Sequence, residues 1–288
     1  MILIIDSGST KSDWVLLKDS GNESFSTIGL NPYFHSEELV YSTVCENEGL
    51  NDIKSQISLV FFYGAGCSSK ELNKIIENGL QKVFIHAKIH IDHDLKACAY
   101  ATYEGEPSIS CIIGTGSNSC YFDGKNIFEE VPALGYILGD EGSGTYFGKQ
   151  LLSMYLYKLL PKHIHDAFES QTGLTKDLIV ENVYMQPNAN VYLASFMKFI
   201  VQFSNDPFVK EMIFDGFKKF IQIHVACFEK HKDVKVHFVG SIAHLFRNEL
   251  NEACKFYQVT LGQTIQKPID GLINYHVKYI LENHKNVI

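Results

Sequence analysis

The first strongly apolar stretch of the chain is short and ends in a turn. Residues 2–5 form a β-like run that stops at Asp6, residues 7–10 read Ser-Gly-Ser-Thr, and residues 14–17 resume an apolar run. Short apolar runs bounded by small turn residues predict strands. The predicted order is therefore strand, turn, strand, whereas the Rossmann and Walker turns lead from a strand into a helix.

The same pattern returns near the middle of the chain. Residues 108–113 form an apolar run, residues 114–118 read Gly-Thr-Gly-Ser-Asn, and residues 119–122 return as a strand. The two openings share little sequence identity. The prediction of an internal repeat therefore rests only on their common strand–turn–strand pattern. Two unrelated hairpins are the alternative explanation.

Strand and helix patterns alternate through the rest of the chain. Buried strands are predicted at 57–63, 83–91 and 234–239, and helices at 36–48, 70–82, from Asp94 onward, through most of 174–231, and at 271–283. This alternation predicts an α/β fold.

Composition restricts the class of protein. The chain has 288 residues, of which 45% are hydrophobic and 20% charged, and its formal net charge is -8. Without a basic stripe, neither nucleic acid nor an anionic membrane is an expected partner. The N-terminus lacks a basic region before its apolar run, and no apolar run is long enough to cross a bilayer. A cytoplasmic protein is therefore expected.

The seven cysteines are widely spaced, and no C-x-x-C occurs. Zinc and iron–sulfur sites require clustered ligands, so buried reduced thiols are the expected state.

The two small-residue turns are candidate phosphate sites. Backbone N–H groups in a tight glycine-containing turn can form an anion-binding concavity, and small residues let a phosphate approach the backbone. The turns at 7–10 and 114–118 could together hold the two ends of a triphosphate. One such turn alone is usually structural, because Gly/Ser hairpins are common.

Carboxylates stand where strands end. Asp6 could hold Mg²⁺, which prefers oxygen ligands, or it could simply cap its turn. Asp94 is the candidate general base for a hydroxyl nucleophile, with Asp92 as the competing carboxylate and a plain helix cap as the structural alternative. Asp140 and Asn31 lie in loops where they could bind substrate hydroxyl groups, and a capping Asp and a turn Asn are the alternatives.

These residues resemble a known family. The segments that carry the resemblance are, in order, DSGSTKSD (6–13), LNPY (30–33), YGAGCS (63–68), IDHDLKACAYA (91–101), IIGTGSNS (112–119), GYILGDEGSG (135–144) and FVGSIA (238–243). They are similar to the N-acetylglucosamine kinases, which belong to the BadF/BadG/BcrA/BcrD-type ATPases of the actin-like, hexokinase-like superfamily.

The resemblance implies an α/β protein of two ribonuclease-H-like (actin-like ATPase) domains with ATP and sugar in a central cleft. The first domain would span 1–106 and the second 107–275, with a helical insertion at about 145–231. A C-terminal helix at about 276–288 is a candidate for packing back on the first domain. The implied reaction is phosphorylation of the 6-hydroxyl of an amino sugar, with ATP and Mg²⁺ as cofactors.

The resemblance also implies roles for single residues. Asp6 would hold the metal, and Asp94 would be the base. The cofactor would be bound by Ser7, Gly8, Ser9, Thr10, Lys11, Gly114, Gly116 and Ser117, and near its adenosine by Gly240 and Ser241. The sugar would be contacted by Asn31, Asp94, Thr115, Gly135 and Asp140.

Alternatives stay open at this point. Ser7 and Ser9 replace glycines common in kinases of the family, and Leu134 stands where animal members have a Trp beside the sugar. N-acetylmuramic acid and glucosamine are therefore alternative substrates. An ATPase that activates a partner enzyme through an iron–sulfur cluster, and a sugar sensor without catalysis, are alternative functions. The sequence leaves the oligomeric state open, with a monomer and a homodimer as the candidates.

Overall fold

The computed structural model describes residues 1–18 and 21–281, which form two compact units. The first unit combines Met1–Thr102 with the chain from Pro268 onward, and the second is Tyr103–Lys267. The chain thus changes unit four residues before the predicted boundary at 106/107 and returns at Pro268. Of the C-terminal helix predicted at about 276–288, the part from residue 282 lies outside the described residues.

Ten strands and fourteen α-helices occur within the described ranges. The strands are β1 (Ile2–Ser7), β2 (Lys11–Leu17), β3 (Glu23–Ile28), β4 (Leu59–Gly64), β5 (Lys88–His93), β6 (Ser108–Ile113), β7 (Ser117–Phe122), β8 (Ile127–Phe128), β9 (Lys235–Val239) and β10 (Thr260–Ile265).

The α-helices are α1 (Glu37–Glu46), α2 (Glu48–Ile53), α3 (Lys70–Val83), α4 (Asp94–Thr102), α5 (Gly135–Leu138), α6 (Gly144–Leu156), α7 (Lys162–Thr172), α8 (Lys176–Val180), α9 (Ala189–Ser195), α10 (Met197–Ile200), α11 (Pro207–Phe220), α12 (Ser241–Leu245), α13 (Arg247–Phe256) and α14 (Ile269–Tyr275). Short π-helical segments continue α8, α11 and α14 at Glu181–Met185, Ile221–Val225 and His276–Leu281. Two 3₁₀ segments lie at Lys54–Gln56 and Val201–Phe203.

The two units contain sheets of the same topology. The first sheet has the order β3-β2-β1-β4-β5 and the second β8-β7-β6-β9-β10. In each, the first three strands of the unit pair antiparallel and the last two are added in parallel. This shared arrangement confirms the predicted two-domain α/β fold, and it explains why both halves open with a strand–turn–strand pattern.

The central strands are apolar on both faces because helices cover both sides of the sheet. In β1, Leu3 and Ile5 enter a core that also contains Trp14, while Ile4 is fully buried on the other face. Phe61 lies beside Ile4 in the register of β4, and its ring centroid is 4.4 Å from that of His276. Strands buried on both faces read as continuous hydrophobic runs, which is how β1 and β4 appear in the sequence.

One predicted element differs from the structure. The apolar run at 83–91 was expected to be one strand, but α3 continues to Val83 and β5 begins only at Lys88. Val83 and Phe84 are buried at the end of the helix, where they pack with Leu80 in the core of the first unit. A short apolar run does not distinguish a buried helix end from a strand by periodicity alone.

Candidate functional site

Strand ends of the first unit bring the predicted acidic residues to one edge of the sheet. Asp6 of β1 is in register with Tyr63 of β4, which is in register with Asp92 of β5. Parallel neighbours are about 4.8 Å apart, so the backbones of Asp6 and Asp92 lie roughly 10 Å apart. Asp94 begins α4 immediately after β5. This edge is where α/β sheets generally bind ligands.

The first predicted phosphate turn connects β1 to β2. The Gly8 N–H donates to the Lys11 carbonyl at 3.0 Å, which closes the turn. Gly8 and Ser9 are partly exposed, and Thr10 and Lys11 are exposed. The Lys11 ammonium group lies 2.7 Å from the Asp13 carboxylate. The surface of the turn is therefore formed by residues 8–11.

Ser7 is placed differently from the other residues of this turn. Its side chain is fully buried, and its hydroxyl lies 2.7 Å from that of Ser12. The same oxygen accepts the Leu30 N–H at 2.8 Å and lies 3.2 Å from the Leu30 carbonyl. The Ser7 hydroxyl is thus committed to the fold, where it joins β1 to the loop that carries Asn31.

Gly29 lies directly behind the turn. A Cβ atom on Gly29 would lie 2.1 Å from the Gly8 carbonyl oxygen and 2.8 Å from the Thr10 nitrogen. Ordinary contacts of a Cβ begin at 3.4 Å, so only glycine permits this approach. The turn is consequently supported from behind by backbone rather than by side chains.

Asn31 is buried beside the loop that follows β4. Only 7% of the residue is exposed, and its Oδ1 accepts the Tyr33 N–H at 2.9 Å. A Cβ on Gly66 would lie 2.4 Å from that oxygen, so the two loops are in close contact. The Asn31 N–H donates to Nδ1 of His35 at 3.2 Å, and burial lowers the pKa of His35. A neutral imidazole is the form that can accept this bond.

The structure separates the two carboxylates at the end of β5. Asp92 forms an ion pair with Lys96, one helical turn away, and it also accepts the His93 N–H at 3.0 Å. Asp94 is a partly buried residue in the first turn of α4. Lys96 thus holds the Asp92 carboxylate in place, while Asp94 remains the predicted base.

The residues around Asp6 suit a magnesium ion. Asp6 pairs in register with Asp13 on the antiparallel neighbour β2, which puts two carboxylates opposite each other on one face. Such like-charged cross-strand pairs repel unless a cation is near, and the Lys11 ammonium group already lies 2.7 Å from Asp13. Among residues 1–18 and 21–281 there is no group of three His, Cys, Asp or Glu residues that could enclose a metal. Mg²⁺ commonly uses one or two carboxylates and keeps several waters, so this donor set fits it.

The second predicted phosphate turn connects β6 to β7 and is joined to the start of α6. The Gly114 N–H donates to the Gly116 carbonyl at 2.9 Å. The N–H groups of Gly144 and Thr145 donate to the carbonyls of Gly114 and Thr115 at 2.8 and 3.1 Å. Ser143 caps α6 by accepting the Tyr146 N–H. A helix N-terminus therefore orders the backbone of this turn.

Asp140 lies against the turn. Its Oδ1 accepts the Ser117 N–H at 3.0 Å, and a Cβ on Gly116 would come within 2.9 Å of the same oxygen. Burial raises the pKa of Asp140, and the hydrogen bond from Ser117 opposes that increase. The buried Ser117 hydroxyl donates to the Glu141 carbonyl at 2.8 Å. The N–H and the hydroxyl of Ser117 thus both donate to groups within the protein.

The second unit also contains a cavity of about 410 Å³ beside this turn. Its lining residues are Gly114, Thr115, Gly144, Ala194, Met197, Lys198, Val201, Ser241, Ile242 and Leu245. Thr115, predicted as a sugar contact, and Ser241, predicted near the adenosine, therefore line one cavity. Gly240, with φ +128°, lets this loop approach β6, since a Cβ there would lie 2.3 Å from the Ile113 carbonyl oxygen.

Gly135, a predicted sugar contact, is exposed and begins α5 with φ +67°. A partly buried amine holds the short helix in place, because the Lys149 ammonium group donates to the Tyr136 carbonyl. Burial lowers the pKa of Lys149.

A family model covers most of the chain that carries these features. Residues 5–270 match the BadF/BadG/BcrA/BcrD ATPase family. The chain belongs to this family. The predicted resemblance to the BadF/BadG/BcrA/BcrD ATPases is thereby confirmed, and so is the expectation of an ATP-using protein at the level of the family.

Solved structures resemble this chain over nearly its whole length. A candidate N-acetylglucosamine kinase from Porphyromonas gingivalis is 37% identical, with a TM-score of 0.90 over 97% of this chain and 99% of that one. A candidate N-acetylglucosamine kinase from Chromobacterium violaceum is 15% identical, with a TM-score of 0.74 over 95% and 98% of the two chains.

A ROK family glucokinase from Streptomyces griseus, solved with glucose and AMPPNP, is 13% identical, with a TM-score of 0.55 over 95% and 97% of the chains. At this level of identity, the Chromobacterium and Streptomyces proteins show the shared fold only. Comparison with curated proteins finds no significant match. Among the described residues, no helix combines the length and apolar character that a bilayer span requires.

The sequence did not identify several residues that shape the site in this member of the BadF/BadG/BcrA/BcrD family. Gly29 was not singled out in the sequence, yet it supports the first turn. His224 lies in a segment predicted only as helical, yet its Nε2 is 3.1 Å from the Glu141 carboxylate. A lone histidine in an apolar helix carries no signal of such a partner, because the partner is 83 residues away.

Proposed function

We propose that this chain is an ATP-dependent sugar kinase that phosphorylates the 6-hydroxyl of an amino sugar, with N-acetylglucosamine as its substrate. One observation carries the proposal: Asp94, a strand-end carboxylate that begins α4, lies on the same sheet edge as Asp6 and the first turn. A carboxylate base beside a phosphate turn suits phosphoryl transfer to a hydroxyl. The 37% identity to the Porphyromonas protein supports the amino-sugar substrate.

In the proposed reaction, Asp94 accepts the proton of the attacking sugar hydroxyl. Its place in the first turn of α4 favours the carboxylate form, because the helix N-terminus stabilises a negative charge. Mg²⁺, when bound, would neutralise charge on the transferring phosphoryl group, and Asp6 would hold it. The exposed backbone of residues 8–10 would bind phosphate oxygens, as would the turn at 114–116.

The remaining groups would orient the two substrates. Asn31 is held by Tyr33 and Gly66, so its side chain is presented in one orientation to a sugar. The apolar wall of the 410 Å³ cavity, which includes Met197, Val201 and Leu245, suits a nucleotide base. Catalysis would then consist mainly of positioning and charge stabilisation. A cytoplasmic location, where ATP is supplied, is part of the proposal.

Two matched variants test the role of Asp94. Asp94→Asn keeps the shape of the side chain but cannot accept the proton, so kcat with N-acetylglucosamine and ATP should fall by about 10²–10⁴-fold. Asp92→Asn removes a partly exposed ion pair with Lys96, worth about 0–1 kcal/mol, and should leave kcat within about threefold. A coupled ADP-release assay measures both. Near-normal turnover of Asp94→Asn would show that Asp94 is not the general base. A selective loss of turnover in Asp92→Asn would identify Asp92 as the base instead.

A further inference from the structure

A buried carboxylate–imidazole contact lies behind the loop that carries Asp140. Oε2 of Glu141 is 3.1 Å from Nε2 of His224, and only 3% of His224 is exposed. The His224 ring stacks on Phe220 with centroids 5.0 Å apart. Buried polar groups are costly unless they are hydrogen-bonded, so this pair is stabilising only when both partners are present.

The proton on His224 can be assigned from its surroundings. Nδ1 of His224 is buried and has no hydrogen-bond partner among the described residues. A neutral imidazole carries one N–H, which belongs on the nitrogen that has an acceptor. His224 therefore donates from Nε2 to the Glu141 carboxylate. A hydrogen bond to a charged acceptor is among the stronger contacts in a protein interior.

The same two residues also hold the first part of β7 through their carbonyl groups. The Ser117 hydroxyl donates to the Glu141 carbonyl at 2.8 Å, and the Ser119 hydroxyl donates to the His224 carbonyl at 2.6 Å. The side-chain contact between Glu141 and His224 closes this set of bonds. The loop at 140–143, the strand after the second turn, and the π-helical segment Ile221–Val225 are thereby joined.

The loop requires such support because its backbone is unfavourable. Asp140 has φ +58°, a left-handed conformation that costs energy for a residue with a side chain. Gly142, at φ +69°, packs against α11, since a Cβ there would lie 3.2 Å from both the Gly216 oxygen and the Phe220 Cβ. Contacts with α11 and its π-helical continuation therefore flank the strained residue on its C-terminal side.

We propose that His224 is a positioning residue that, through Glu141, holds the Asp140 carboxylate on the Ser117 N–H and so fixes the second turn for the reaction. The change in kinetics that this inference predicts rests on the proposed kinase function. It predicts that the helical insertion, by way of α11, determines the geometry of a loop predicted to contact the sugar.

Two substitutions at His224 separate positioning from bulk packing. His224→Gln keeps an N–H near the position of Nε2, and His224→Leu keeps volume but leaves Glu141 without its donor. His224→Leu should lower kcat/KM for N-acetylglucosamine by about 10- to 100-fold, and His224→Gln by less than about threefold. In the double variant of His224→Leu with Glu141→Gln, the second change should add little, because the two residues act together.

Hydrogen exchange gives a readout independent of turnover. Amide exchange of peptides covering 112–119 and 136–144 should rise in His224→Leu and stay near the wild-type rate in His224→Gln. Phe168→Leu, a buried change in the same core whose ring contacts Tyr155, Phe196 and Phe199, serves as the control for lost packing and should leave both peptides unchanged.

Each outcome bears on the proposal. Wild-type kcat/KM and exchange in His224→Leu would overturn it, as would equal losses in His224→Leu and His224→Gln with no change in exchange at 112–119. If the wild-type protein phosphorylates no sugar, the proposed function fails, and the exchange data alone still decide whether His224 positions the loop.

Discussion

Replacing Gly29 by alanine is a sharp test of the first phosphate turn. The added Cβ would lie 2.1 Å from the Gly8 oxygen, 2.7 Å from the Ser9 carbonyl carbon and 2.8 Å from the Thr10 nitrogen. All three atoms belong to the backbone, so no side chain can rotate to relieve the contact. Ordinary contact begins at 3.4 Å, so the turn must move by about 1 Å.

A displacement of this size should weaken nucleotide binding as well as stability. Overpacking costs about 1–3 kcal/mol, and misplacing a binding group by about 1 Å can cost as much as 10²-fold in rate, which is about 2.7 kcal/mol. We expect the KM for ATP in Gly29→Ala to rise by at least about tenfold, with a smaller change in the KM for the sugar. Steady-state kinetics with each substrate varied in turn measures both values.

The control for Gly29→Ala is a glycine variant that strains the backbone elsewhere. Gly173 has φ +57° and no atom within 4 Å of an added Cβ, so Gly173→Ala should cost stability without touching either turn. A KM for ATP in Gly29→Ala that matches that of Gly173→Ala would refute the reasoning, because the turn at 8–10 would then not bind phosphate.

Two further predictions concern the second turn and the acid stability of the first unit. A Cβ on Gly114 would have no neighbour within 4 Å, so Gly114→Ala should keep its melting temperature but raise the KM for ATP, and unchanged KM would exclude phosphate contact there. Burial lowers the pKa of His276 to about 4, so its contribution to stability is complete above pH 6.5 and is lost as the pH falls towards 4. The free energy of unfolding, measured with urea, should fall between pH 7.5 and pH 5 by about 2 kcal/mol less in His276→Phe than in the wild type. An equal fall in both proteins would contradict the lowered pKa of His276.

Sequence patterns predicted the parts of the site that depend on local order. A strand followed by a small-residue turn was recognisable after Asp6 and again after residue 113. The parallel strands β1, β4 and β5 then place Asp6 and Asp94 on one sheet edge as a consequence of their order. These features follow from the period of the strands and from turn chemistry, which a sequence shows directly.

Contacts between distant segments were beyond the sequence. The return of α14 to the first unit depends on Gly271, where a Cβ would lie 2.2 Å from the Ala101 oxygen. The same holds for the Glu141–His224 contact and for the support of the first turn by Gly29. In each case, no pattern in the sequence relates the two segments that are in contact. Ser7 shows the converse, because a serine in a phosphate-like turn proved to be a buried structural residue.

The activator-ATPase alternative has a spectroscopic signature. Five of the seven cysteines are buried, and burial raises the pKa of both Cys67 and Cys254 to about 12. Thiols of this kind are poor metal ligands, because the thiolate is the binding form. Visible absorbance of an iron–sulfur cluster in the anaerobically purified protein would favour that alternative over a sugar kinase.

The most direct test of the central claim is ADP release from ATP and Mg²⁺ across a panel of sugars. The panel contains N-acetylglucosamine, N-acetylmuramic acid, N-acetylmannosamine, glucosamine and glucose. The proposed function predicts sugar-dependent ADP release that is greatest with N-acetylglucosamine and a product phosphorylated at the 6-hydroxyl. ADP release that is the same with and without every sugar would contradict it.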